Sequence, residues 1–347
     1  MTSLADSTIV QALRRAAVRA TLAPSVHNTQ PWRFVLGQDT LEIRSDASRR
    51  LAVLDPTGRQ MMISCGCALF NARVALEAAG YRPVIERFPD PLHTEIVARV
   101  TVADGRSPDQ PAAGARSGAV TSESNGDSAI GGLNAVIDLR RTNRRRFAED
   151  IVPDEFVADL VAAAQREGSQ LTPITRPEQR ISVAVLSQRA DAEQNADPAY
   201  RAELRSWSTD DPMRVDGVPA TVVPRGGGGA QDEVPIRDFD TDGAGALPNE
   251  THSGSDQCLL LLGSPGDGPA DWLRAGEALE HVWLEITRHG FAMSPLTQVI
   301  EVAATRALLR HELALSMQPH VLLRVGRAAN TPATRRRRLV DVLEATG

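Results

Sequence analysis

Residues 104 to 131 are rich in Gly, Ala, Ser, Asp and Pro, with almost no large apolar side chain. Such a stretch cannot recover its ordering entropy by burial, so it reads as a flexible linker. Any core must therefore be assembled from two separated blocks, 1 to 103 and 132 to 347. With 347 residues, 42% of them apolar and 24% charged, each block is long enough to supply a domain-sized unit.

Both blocks alternate helical and strand-like patterning. In the first, Ile9, Leu13, Ala16, Ala17 and Ala20 mark an amphipathic helix that stops before Pro24. A loop over Ser25 to Pro31 leads into a hairpin, Trp32 to Leu36 and Thr40 to Arg44, and Met62 to Ala79 reads as a long helix closed by Gly80. Strand-like runs near Pro83 to Phe88 and Ile96 to Val102 complete this half. The second half predicts helices near 132 to 140 and 154 to 167, a strand around Leu171 to Thr175 and a helix from Glu178. Its core follows: a strand over Cys258 to Leu262, helices over 270 to 289 and Glu301 to Leu315, and a buried strand over Val321 to Val325. Between these lies 208 to 255, rich in Pro, Gly and Asp and too long for an ordinary connection, which reads either as a lid over a site or as disordered chain.

Several function classes fall away. The net charge of −6 opposes a general nucleic-acid binder. No apolar run reaches membrane length, and Arg14, Arg15 and Arg19 interrupt the first twenty residues, so a cytoplasmic location is expected. Cys65, Cys67 and Cys258 are too few and too unevenly spaced for a disulfide framework or a zinc site, so reduced and mostly buried thiols are expected, with no metal. All 38 basic residues are arginine. An anion must then be held by guanidinium groups, backbone N–H groups or hydroxyls.

Three segments could carry chemistry. In Pro24-Ser25-Val26-His27-Asn28-Thr29-Gln30-Pro31-Trp32, short hydrogen-bonding side chains are confined between prolines. Asn and Gln each present a donor and an acceptor, which suits the edge of a flavin ring, while a capped turn feeding an edge strand is the plainer alternative. In Arg140-Arg141-Thr142-Asn143-Arg144, an extended backbone would put Arg140, Thr142 and Arg144 on one face, a set suited to a phosphate monoester. A solvated basic run is the alternative there, as it is for the arginines at 335 to 338. Gly290 to Gln298 runs from a helix end through a short strand into a turn, and taken alone is a connector.

Together the Pro-Ser-x-x-Asn-x-Gln-Pro-Trp loop and Arg140-x-Thr142-x-Arg144 resemble the nitroreductase family, in its Acg-type branch of actinobacterial NAD(P)H nitroreductases. The resemblance spans most of the chain, leaving out the linker and 208 to 255. It implies an α+β nitroreductase-like fold with FMN at a dimer interface, the basic motif coming from one subunit and the Pro-Ser loop from the other. Each motif stands once here, in different halves, which implies a fused pseudo-dimer keeping one flavin site, and hence a monomer. By resemblance Arg140, Thr142 and Arg144 hold the phosphate and ribityl end, helped by Arg336 and Arg338, while Ser25, Asn28 and Gln30 border the flavin from the other half. The backbone N–H groups of Thr297 and Gln298 would approach the reactive ring edge, where a donor stabilises arriving charge. No catalytic side chain is assigned, because the flavin carries the chemistry. The implied activity passes hydride from NAD(P)H to the flavin and on to a nitro- or quinone-type aromatic acceptor. If 208 to 255 closes over the flavin, the alternative is a non-catalytic protein that sequesters or stores FMN. An interaction module using the arginine islands is a third reading, opposed by the acidic total.

Overall fold

The computed structural model describes residues 4–102, 130–225, 232–240, 243, 245–248, 253 and 257–344. Most of the linker lies outside the described residues, as do parts of 208 to 255. Helix α1 (Leu4–Ala20) and the hairpin β1 (Trp32–Leu36) and β2 (Thr40–Ser45) form as the periodicity predicts. Helix α2 (Arg59–Ala78) follows, then β3 (Val84–Arg87) and β4 (Ile96–Thr101). Gly80 takes the left-handed conformation at φ 83° just beyond α2, where a side chain would be strained. The second half supplies α3 (Asp154–Arg166), β5 (Gln170–Pro173), α4 (Pro177–Ala196) and α5 (Pro198–Ser206). A two-residue parallel pair, β6 (Ser208–Thr209) with β7 (Val218–Pro219), precedes β8 (Cys258–Ser264), α6 (Pro269–Arg288) and β9 (Ala292–Leu296). The chain ends through α7 (Gln298–Glu301), α8 (Ala303–Glu312), β10 (Gln318–Gly326), α9 (Leu339–Val342) and β11 (Leu343–Glu344).

Two helices differ from the sequence-based expectation. The segment at 132 to 140 is a short 3-10 turn, Ile130–Ala135, because Gly131, Gly132 and Asn134 favour no helix and the Arg19 guanidinium captures the Asn134 carbonyl. The single helix expected over Glu301 to Leu315 is broken at Val302, which is extended, so α7 and α8 are separate. The Thr305 hydroxyl donates to the Val299 carbonyl at 2.8 Å across the break.

The strands form a mixed α+β architecture of two main sheets. One runs β11-β1-β2-β4-β3 and the other β5-β8-β10-β9. Strand β11, from the chain's last described residues, pairs parallel to β1 through Phe34 and Leu343, so the C-terminal block completes the first half's sheet. One hydrophobic core contains Leu13, Trp32 and Leu69 of the first half together with Leu262, Val282 and Leu323 of the second. The two blocks that the linker separates in sequence thus share their interior. Helix α2 is long and apolar enough to cross a membrane by composition alone, but it lies mostly buried inside this core.

Helices α2 and α6 meet at two glycines. A Cβ on Gly66 would lie 2.0 Å from the Leu273 carbonyl oxygen, and one on Gly276 would lie 2.0 Å from the Ile63 carbonyl oxygen. Backbone therefore touches backbone, and no side chain fits at either position. Beside the crossing, buried Glu277 accepts from Arg73 at 2.8 Å and from Arg87 at 2.7 and 2.9 Å. Gly276→Ala is expected to lower stability in chemical denaturation by about 1–3 kcal/mol or more through overpacking. Gly132→Ala, whose Cβ would enter open space, should change it by less than about 0.5 kcal/mol.

Candidate functional site

The chain from α1 to β1 turns sharply. Three non-glycine residues there are left-handed, His27 (φ 46°), Asn28 (φ 55°) and Gln30 (φ 51°). Each costs of order 1–3 kcal/mol, so the surroundings must hold the loop. They do so by hydrogen bonds: the Gln30 N–H donates to Ser25 Oγ at 2.9 Å, the Val26 N–H to Ser64 Oγ at 3.2 Å, and the Arg49 guanidinium to the Thr29 carbonyl. Across from this loop, Thr142 forms a parallel bridge to Met293 of β9, and the Asn143 N–H donates to the Met293 carbonyl at 2.9 Å. The arginine-rich segment is thereby fixed along the edge of the second sheet.

Two adjoining cavities open between the loop and that edge, sharing Pro24, Ser25, Thr142 and Arg144 as walls. The first, of about 850 Å3, is mainly apolar, walled by Ile63 and Cys67 of α2, Leu279 and Trp283 of α6, and Leu296 and Phe239. The second, of about 830 Å3, is lined by Arg140, Arg141, Arg144 and Arg336.

The arginines of the second cavity are short of acidic partners. Arg144 has no carboxylate partner among the described residues; burial, then Arg237, brings its pKa down to about 10, and it sits 4.9 Å from the Phe239 ring centre. Burial, with Arg140 nearby, brings Arg336 down to about 9, and its guanidinium donates to the carbonyls of Ala23 and Arg335. Arg140 stacks 4.6 Å over Trp283 and lies 3.5 Å from the buried Glu280 carboxylate. Such a cluster loses much of its self-repulsion when an anion enters.

Placement of the sequence-predicted residues is uneven. Ser25, Thr142 and Arg144 border both cavities, Thr297 and Gln298 the first, and Asn28, Arg140 and Arg336 the second. The Gln298 side chain itself turns away and donates to Asp191 at 2.8 Å, leaving its backbone at the start of α7 toward the cavity. Two residues stand outside both linings. Arg338 is exposed and paired with Asp341. Gln30 is fully buried, its amide donating to the Val215 carbonyl at 2.9 Å and accepting from the Arg337 N–H at 2.7 Å. The Gln30 amide is thus consumed in joining the loop to 208 to 255 and to the C-terminal segment.

The described part of 208 to 255 packs against this site. Val218, Val222, Val223 and Phe239 form a small core with Leu51, Leu54, Tyr200 and Leu204. Ile236, Arg237 and Phe239 wall the first cavity. Arg237 is anchored there, donating to both Glu301 oxygens at 2.7 Å and to Thr297 Oγ1 at 3.2 Å, and Glu301 holds its pKa up against burial. Asn28 Nδ2 donates to the Gly217 carbonyl at 2.9 Å, tying the strained loop to the same segment.

Sequence reasoning missed three cavity residues of note. His27 is buried edge-on to Phe239 at 5.3 Å, and neither ring nitrogen has a partner. Burial, then Arg237 and Arg144, keeps its pKa well below the ordinary value, so the ring is neutral. Gln60 Nε2 is likewise buried without a partner, on the wall beside Ser64. His27 could have been marked as the one titratable group in the Pro-Ser loop; Gln60 gives no signal in sequence. The sequence signal for Phe239 is that of an aromatic residue in a stretch rich in Gly and Asp. Among the described residues no group of side chains has the arrangement of a metal site.

No family model matches the chain. It is 34% identical to "Putative NAD(P)H nitroreductase Rv3131" of Mycobacterium tuberculosis over 99% of its own length and 93% of that protein. It is 30% identical to "Putative NAD(P)H nitroreductase acg" of the same organism, over 97% of each. Solved nitroreductases align more distantly. The FMN-dependent NfnB of Mycobacterium smegmatis, in complex with NADPH, covers 59% of this chain at 16% identity and a TM-score of 0.34. A Bacteroides fragilis nitroreductase with bound FMN covers 59% of this chain at 12% identity and a TM-score of 0.36.

Gln30→Leu, which leaves the Val215 carbonyl and the Arg337 N–H without partners, is expected to cost about 1–3 kcal/mol in denaturant unfolding. Binding of inorganic phosphate by the folded variant should stay within a few-fold of the parent, since Gln30 lines neither cavity.

Proposed function

Because this chain belongs to the nitroreductase family, we propose that it is an FMN-dependent oxidoreductase whose two adjoining cavities receive the two ends of one flavin nucleotide. The observation that carries this reading is the junction of an apolar, aromatic-walled cavity with an arginine-rich one across the shared walls Ser25, Thr142 and Arg144. A tricyclic ring joined by a ribityl chain to a phosphate has that same succession of chemistries. Arg140, Thr142, Arg144 and Arg336 would hold the phosphate end, since guanidinium forks make charge-assisted bonds to it. Asn28, whose buried Oδ1 has no partner, borders the same cavity. On the ring side, the partnerless nitrogens of His27 and Gln60 fit a ligand edge that carries carbonyls and imide nitrogens. The first turn of α7 leaves backbone N–H groups without intrahelical acceptors at Thr297 and Gln298, placed to steady charge on the ring edge. Trp283, Leu279 and Phe239 exclude water. When bound, FMN accepts hydride from NAD(P)H and passes electrons to a nitro- or quinone-type acceptor.

One chain would do the work of a dimer. Two sheets, each faced by its own central helix, the α2–α6 glycine crossing between them, and β11 added to the first sheet all support a fused pseudo-dimer with one site, for which a monomer suffices.

A second reading is favoured by one feature. Ile236, Arg237 and Phe239, all from 208 to 255, wall the ring cavity where a nicotinamide or an acceptor would stack. In that reading the segment is a lid and the protein sequesters FMN.

The two readings separate in the visible spectrum during anaerobic addition of NADPH to the FMN-loaded protein: bleaching supports the oxidoreductase, and persistent bands support sequestration. For the sequestering form, Phe239→Ala should restore bleaching. In either case riboflavin, lacking the phosphate, should bind at least tenfold more weakly than FMN, as expected for losing even one charged hydrogen bond of about 1.5–3 kcal/mol. Arg336→Met should weaken FMN and leave riboflavin unchanged. Equal affinity for the two flavins would remove the phosphate assignment.

A further inference from the structure

Behind the arginine-lined cavity lies a buried carboxylate whose surroundings differ from those of its neighbour on the same helix. Glu277 is fully buried and held by three hydrogen bonds from Arg73 and Arg87. Glu280, less than one turn further along α6, is equally buried, yet neither of its oxygens has a hydrogen bond of normal geometry. The groups that face it can be named from each packed element. From the segment leading into Thr142 comes Arg140, its Nε 3.5 Å from Glu280 Oε1, and from the C-terminal segment comes Arg336. From α2 come the Asn71 amide and the Cys67 thiol, the latter neutral because burial pushes its pKa well above the ordinary value. Both facing cations, Arg140 and Arg336, are also walls of the second cavity.

We propose that Glu280 is the proton-linked counter-charge of this cavity, so that a phosphate monoester enters together with one proton taken up by the Glu280 carboxylate. The identity of the ligand as FMN rests on the functional reading above; the coupling itself rests only on the geometry of Glu280 and the two arginines. With the cavity free of anion, an ionised Glu280 balances Arg140 and Arg336. A phosphate dianion bound by those same guanidiniums takes over the balancing role and adds a like charge nearby, which disfavours the ionised carboxylate. A proton from solvent then moves to Glu280, and the net charge of the buried cluster is conserved to within one unit.

The direction with pH follows from linkage. Burial, opposed by Arg140, already pushes Glu280 up to about 7. Bound phosphate raises it further, so the bound state holds more protons than the free state above that pH. Affinity on this account is level below about pH 7 and falls as pH rises through the window above it, by up to tenfold per unit. The second ionisation of a phosphate ester near pH 6 acts in the opposite direction and does not produce such a fall. Arg336 is brought down to about 9 and would add a fall of the same sign near that pH, so the fall nearest pH 7 is the one that reports Glu280.

The test is calorimetric titration of the full-length protein with inorganic phosphate and, separately, with FMN and riboflavin, at pH 7.5 in two buffers of different ionisation enthalpy. Net uptake of at least about half a proton per FMN is expected, a smaller net uptake with inorganic phosphate, whose own second ionisation lies close to this pH and releases part of a proton on binding as the dianion, and none with riboflavin. Glu280→Gln should abolish the uptake, remove the fall in affinity between pH 7 and 8.5 and tighten phosphate several-fold at pH 8. Infrared difference spectra on adding phosphate to the unmodified protein should show a new carboxylic acid band, which decides the matter even if the variant does not fold. No proton uptake and no such band in the unmodified protein would overturn the proposal, as would uptake that persists in Glu280→Gln or a failure of phosphate and FMN alike to bind. Uptake with inorganic phosphate but no binding of FMN would leave the coupling in place and remove the flavin reading instead.

Discussion

The contact of α2 with α6 at Gly66 and Gly276 is the constraint on which the site depends. With no side chain at either glycine, the helix backbones touch, and this sets how far apart their other residues stand. Gln60, Ile63, Ser64 and Cys67 on α2 and Leu279 and Trp283 on α6 consequently form one continuous cavity wall. A methyl group at the crossing would push the helices apart and displace every one of these residues, because close-packed interiors transmit strain. The same crossing brings buried Glu277 within reach of Arg73, from α2, and Arg87, from β3. The helix pair is thus fixed by shape at one point and by paired charge at the next.

Charge is handled differently on the two sides of α6. Arg73, Arg87, Glu167 and Glu277 are mutually satisfied, and His281 meets Glu167 at 3.1 Å. Facing the cavities, by contrast, Arg140 and Arg336 face Glu280, which has no hydrogen bond of normal geometry, Arg144 has no carboxylate partner among the described residues, and the His27 and Gln60 nitrogens are left without partners. A buried polar group without a partner costs about 1–3 kcal/mol. Groups of this kind at His27, Gln60 and Glu280 therefore oppose folding. Their location next to a loop with three left-handed non-glycine residues follows the general pattern in which strain and unsatisfied polarity collect at functional sites.

Much of this was legible in the sequence, and the limits have physical causes. The hairpin, α2, α3, β8, α6 and β10 follow from periodicity because each buries one face or the whole of itself. The 3-10 turn at 130–135 is not legible because an arginine side chain from α1 competes for its carbonyl, and α7 is not because it is a single four-residue turn ended by the extended Val302, which leaves no mark on composition. At the site, the Pro-Ser loop and the arginine run were visible as dense local patterns, and the structure brings them to facing walls. Gln30 was misplaced for an instructive reason. Its amide has both a donor and an acceptor, which suits a ligand and equally suits two distant backbone segments; only tertiary placement decides between them. Glu280 was invisible because an acid in a helix reads as solvent-facing until its neighbours are known.

The segment 208 to 255 links these observations. It contributes Phe239 and Arg237 to the ring cavity, the Val215 and Gly217 carbonyls to the strained loop, and a small core that rests on the first half. A flap resting loosely on a finished site would have no need to supply hydrogen-bond acceptors to the site's own loop. Because Asn28 and Gln30 satisfy their amides on this segment, the loop's left-handed conformation and the segment's position over the cavity depend on each other. Displacing Phe239 from the ring cavity therefore need not open the loop, whereas displacing Val215 and Gly217 would remove one acceptor from each of the buried Asn28 and Gln30 amides.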